Sequence, residues 1–109
     1  QRFSQSINTG MPAISRHKDL AATGHKCTFV APVIATARSV FINGIRVARP
    51  GDPLVPHTIK KGLLCKTHYA FVNSGSRTVF AEGKPVARIG DWADKTGSML
   101  QGSPNVFAG

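Results

Sequence analysis

Apolar and polar positions alternate in the same order twice along the chain, in SVFINGIRVARPGD over residues 39–52 and in TVFAEGKPVARIGD over residues 78–91. Val40, Phe41, Gly44, Val47, Ala48, Arg49, Gly51 and Asp52 recur as Val79, Phe80, Gly83, Val86, Ala87, Arg88, Gly90 and Asp91. The period of two is that of a strand. At the centre of the first copy, Asn43-Gly44 predicts a two-residue type I′ turn, which needs positive φ at both positions. The hairpin so drawn pairs Ile42 with Ile45, Phe41 with Arg46 and Val40 with Val47. It puts Val40, Ile42, Ile45 and Val47 on one face as candidate core, with Phe41 and Arg46 on the other. The second copy turns at Glu82-Gly83 and sets Pro85 opposite Phe80, at a non-hydrogen-bonded pair where proline's missing N–H costs little. GSPNVFAG, residues 102–109, repeats the Val-Phe step as a shortened third echo.

Each full copy ends in Gly-Asp, read as a sharp reversal whose aspartate caps backbone N–H groups. A weaker relative of that ending stands at Asp19, ahead of the first hairpin. The pattern predicts a mainly β chain of three short β-plus-loop lobes around a common centre. Helix is expected only as a turn or two in SRHKDLAAT. With 109 residues there is room for one domain. Residues 1–10 are polar and aperiodic and read as a flexible or added lead, and residues 11–109 as the domain.

Charge and composition narrow the function classes. Fourteen basic against five acidic residues give a net charge of +9, which suits an anionic partner such as nucleic acid, an acidic protein or an anionic membrane. The basic residues do not cluster beyond Lys60-Lys61 and Lys66, so no specific nucleic-acid partner is expected. No apolar run is long enough for a membrane-spanning helix. No glycine-rich phosphate loop occurs and no nucleophile with an orienting partner is visible, so the chain is not expected to be an enzyme.

The remaining chemistry lies in His17, His25, His57, His68, Cys27 and Cys65, crowded into GHKC, VPH and CKTH. Cys65-x-x-His68 has common chelate spacing, and a structural zinc site takes four such ligands. Cys65 and His68 would anchor it, with His57 and His25 completing it. A set containing Cys27 is the rival, and a Cys27–Cys65 disulfide is the alternative in an oxidising setting. A metal here would contribute folding energy to a small domain.

These residues resemble the PAAR-repeat proteins, the spike-tip proteins of contractile-tail phages and type VI secretion systems. The resemblance rests on MPAISRHKDLAATGH, VFINGIRVARPGDPLVPH, VFAEGKPVARIGD, the C-x-x-H segment and GSPNVFAG. It implies a small conical fold of short β-hairpins in a pseudo-three-fold layout, with Zn²⁺ near the apex held by His25, His57, Cys65 and His68. Many relatives carry a cysteine in the loop after the last Gly-Asp, and DWADKTG has none. The resemblance further implies one tip chain per trimeric β-helical spike, a place on a virion tail baseplate or a type VI apparatus, and a role in piercing the target cell's outer membrane. Separately attached cargo or effector is compatible with it. A small basic module binding nucleic acid or a membrane surface is the alternative reading, and a small metallo-hydrolase is a third.

Overall fold

The computed structural model describes residues 11–109, so the expected lead over residues 1–10 lies outside the described residues. Ten short strands make up the regular structure: β1 (Leu20–Ala22), β2 (Val30–Pro32), β3 (Phe41–Ile42), β4 (Ile45–Arg46), β5 (His57–Lys61), β6 (Leu64–His68), β7 (Phe80–Ala81), β8 (Lys84–Pro85), β9 (Trp92–Ala93) and β10 (Gly97–Met99). No helix occurs among the described residues. SRHKDLAAT instead forms a bridge from Arg16 to Val47, a tight turn and β1.

Both hairpins have the expected register. Phe41 pairs with Arg46 and Ile42 with Ile45, while Phe80 pairs with Pro85 and Ala81 with Lys84. Asn43 and Glu82 hold φ of 57° and 52°, and the glycines that follow are also positive, as type I′ turns require. Val47 and Val86 donate their N–H groups to Val40 and Val79. This leaves Pro85 in a position where no ladder bond is lost.

The third hairpin is split. Residues 102–109 come back to the chain's early segment, where Ala13 bridges Phe107 and the Ile14 N–H donates to Val106 O at 3.0 Å. Val106 thus stands to Ile14 as Val40 stands to Val47. Three lobes result, and backbone hydrogen bonds join them in a ring. The Ser15 N–H donates to Ala87 O (2.9 Å), Ala87 to Ala48 O (2.8 Å), and Ala48 back to Ser15 O (2.9 Å). All three residues are fully buried.

The weak relative at Asp19 is a true third copy. The carboxylates of Asp19, Asp52 and Asp91 accept from the N–H groups of Arg16, Arg49 and Arg88 at 2.8, 2.9 and 2.8 Å. Lys18 has φ of 72°, at the position where Gly51 and Gly90 both have 92°. A left-handed lysine in a glycine slot is what masks this copy in the sequence.

Two apolar layers fill the axis. Ile14, Val47 and Val86 with Ala37, Ala81 and Ala108 form one, and Val33, Leu54, Val72, Ala93 and Met99 with several alanines form the other. Leu54 and Met99 are the largest fully buried side chains. Described aromatic side chains stay out of both layers, so the core is thin and cross-links between lobes carry more weight.

The turn residues supply one such link. Glu82 accepts from the N–H groups of Arg38 and Ser39 and from the Ser39 hydroxyl, and pairs with Arg49 at 3.1 Å. The hydrogen bonds from Ser39, first its hydroxyl, hold the Glu82 carboxyl below the ordinary range. A depressed carboxylate contributes stability above its unfolded pKa of about 4.3 and loses it as pH falls through the lowered folded value. Amide protection at Arg38 and Ser39 is therefore expected to fall on acidification below about pH 4.3. In Glu82→Ala it should already be low, with no such step. Equal profiles in the two proteins would contradict this link.

Candidate metal centre

Downstream of each buried aspartate, the chain crosses the axis layer and delivers a side chain to one shared point. After Asp19, β1 leads to His25. After Asp52, the bridge of Val33 to Leu54 leads to His57, and after Asp91, β9 leads to Asp94. His68 arrives beside His57 because β5 and β6 pair the two residues directly. One ligand atom from each of His25, His57, His68 and Asp94 lies within 4.8 Å of all the others. The three ring centroids are 5.1, 5.2 and 5.3 Å apart, close to an equilateral triangle.

All three Nε2 atoms face the Asp94 carboxylate. His25 and His57 approach Oδ2 at 2.6 and 2.7 Å, and His68 approaches Oδ1 at 2.6 Å. Asp94 adopts a left-handed backbone (φ 53°), which aspartate tolerates better than most residues. Its N–H donates to Phe71 O, and the Thr96 hydroxyl ties the same loop to Thr23 O.

The outward-facing nitrogens decide what the cluster can hold. His57 Nδ1 lies 2.9 Å from Val55 O and His25 Nδ1 lies 3.1 Å from Lys26 O. A carbonyl only accepts, so each Nδ1 carries the proton and a neutral ring presents a bare lone pair at Nε2. Two such lone pairs facing one carboxylate oxygen are acceptors against an acceptor. A cation among them resolves the conflict, and carbonyl-anchored imidazoles are the usual support of a metal ligand. Three imidazole nitrogens and one carboxylate oxygen are a donor set that zinc accepts.

The sequence-based ligand set needs one correction. The structure brings His25, His57 and His68 together, but Cys65 does not join them, because its sulfur is bonded to that of Cys27. The segment 57–68 is a hairpin, and on β6 an offset of three places Cys65 and His68 on opposite faces. Cys65 faces the Cys27–Thr28 segment, where Cys27 bridges Ile59 and Thr28 N–H donates to Thr58 O. His17 stands apart, its Nδ1 accepting from the Ala35 N–H at 3.1 Å. The residue that spacing missed is Asp94. Its signal was positional: DWADKTG is the third loop after a capping aspartate, equivalent to the loops of His25 and His57.

The family model described as PAAR motif matches residues 23–94, a span that starts two residues before His25 and ends on Asp94. A search of curated proteins finds no match to the chain.

Proposed function

We propose, because this chain belongs to the PAAR-motif family, that it is a metal-pinned tip seated on a trimeric β-helical spike. The family is one of structural spike tips of contractile injection and secretion systems, and it is not an enzyme family. In this reading His25, His57, His68 and Asp94 hold one Zn²⁺, which ties the ends of the lobes into a point. The disulfide of Cys27 with Cys65 braces the same end. The ion supplies charge compensation and cross-linking, and the reading assigns it no catalytic step. The work of the molecule is mechanical: it stays folded while a contracting sheath drives it through the target cell's outer membrane. Cargo carried on the same tip is compatible with this role.

The observation that carries the spike partner is a triplet of surface phenylalanines. Phe41, Phe80 and Phe107 occupy the same position in the three lobes and are 51, 56 and 38% exposed. They sit on the hairpins, with the buried layers between them and the histidine cluster. Equivalent aromatic anchors on a three-fold chain suit a three-fold platform, and aromatic residues dominate binding energy at interface centres.

Native mass spectrometry of the chain with a trimeric β-helical spike should give one chain per trimer. Replacing Phe41, Phe80 and Phe107 by serine should weaken that complex by about 100-fold or more, as expected when several hot-spot aromatics are lost. Unchanged affinity in the triple variant would contradict the assignment of this face.

A further inference from the structure

The hairpin β5–β6 does more than deliver two histidines. From the pair His57 and His68 it runs on past the site to a turn at Gly62-Leu63. Four strand steps carry it about 13 Å beyond the histidines. The outer arm is exposed from Lys60 to Thr67, and its inner half is clamped to residues 26–28 by the disulfide, the Cys27 bridge to Ile59 and the bond from Thr28 to Thr58. It is thus a braced projection whose end touches little of the protein itself.

That end is both greasy and cationic. Leu63 is 98% and Leu64 61% exposed, the former as open to water as a side chain can be. Lys60, Lys61 and Lys66 flank them, with Lys26 on the adjoining segment. No aspartate or glutamate occurs anywhere between Asp52 and Glu82. Two leucines presented on a rigid arm need an apolar medium, and the lysines around them need anions at its edge. Nucleic acid or an acidic peptide would satisfy the lysines and leave the leucines in water. An anionic phospholipid bilayer satisfies both, with the leucines below the headgroups and the ammonium groups at the phosphates.

We propose that the β5–β6 tip is a membrane-docking element that inserts Leu63 and Leu64 into an anionic phospholipid bilayer while Lys60, Lys61 and Lys66 contact its headgroups. This deepens the spike-tip reading by naming what the free end meets first, and it is tested without the spike. The full chain should co-sediment with vesicles of phosphatidylcholine and phosphatidylglycerol, and far less with phosphatidylcholine alone. Leu63→Ser with Leu64→Ser should lower partitioning by about ten-fold or more, and Lys60→Gln or Lys61→Gln by about five-fold each. These variants should keep the metal content, melting temperature and spike complex of the parent, because the altered side chains face solvent. Salt should weaken the binding through the lysines. The proposal is overturned if the chain ignores anionic vesicles, or if the leucine variant binds them as well as the parent. Binding to duplex DNA or polyglutamate at equal strength, unchanged by the leucine substitutions, would overturn it as well. Failure of spike mounting with vesicle binding intact would count against the family-based reading alone.

Discussion

Asp94→Ala is expected to abolish stoichiometric metal binding and to cost the domain much of its thermal stability. Losing a group that merely orients a ligand weakens a metal site by 10–100-fold. Losing a ligand should therefore weaken it by about 100-fold or more. The variant also leaves three imidazoles facing one another without their carboxylate. Metal present at a hundred times its Kd stabilises the native state by about 2.7 kcal/mol, worth roughly 10–20 °C in Tm for a domain of this size. The parent should lose that margin on chelation and regain it with zinc, and Asp94→Ala should show neither change. Asp94→Cys restores a fourth donor, an anionic one, and should bind zinc again. By contrast, replacing Cys27 and Cys65 together by serine should lower stability by about 2–4 kcal/mol while leaving the metal stoichiometry intact. Calorimetry with and without chelator, alongside elemental analysis, separates these cases. Loss of metal in the cysteine variant with Asp94→Ala still loaded would reverse the assignment.

Gly97→Ala is expected to be among the most damaging single substitutions in the chain. A Cβ at this position would lie 1.7 Å from Ala22 O and 2.5 and 2.7 Å from the carbonyl carbons of Ala22 and Thr23. All three are backbone atoms of β1 and the residue after it, so no side chain can swing aside. The four-stranded sheet, in the order β2-β1-β10-β9, has to open between β1 and β10. Overpacking of this kind costs about 3 kcal/mol or more. The break also falls across the site, since β1 leads to His25 and β9 to Asp94. Urea unfolding should show the loss, and metal affinity should fall with it even though no ligand has changed. A variant with parental stability and metal content would mean that the two strands are not packed as described.

The two hairpins could be read from the sequence because every local signal agreed: alternation, Asn-Gly or Glu-Gly at the turn, and a proline where no ladder bond is needed. The three histidines were legible as well, since each follows a recognisable turn or lies in a short His/Cys string. The third lobe was harder to see for two physical reasons. Its turn carries Lys18 where the other copies have glycine, and its hairpin is closed through space by Val106 and Phe107 rather than by a loop. The fourth donor was hidden by a different effect. Chelate spacing favours Cys65-x-x-His68 only when the backbone curls the two side chains together, and on a strand the same spacing drives them apart. Nothing in the sequence reading set Leu63-Leu64 apart, and it is the paired register of His57 with His68 that reveals the segment as a projecting arm.

The most direct test of the metal-pinned tip is X-ray absorption at the zinc edge of the loaded full chain. One zinc per chain is expected, with a first shell of nitrogen and oxygen alone at about 2.0–2.2 Å, from His25, His57, His68 and Asp94. A sulfur neighbour at about 2.3 Å, or no stoichiometric metal in folded protein, would contradict it.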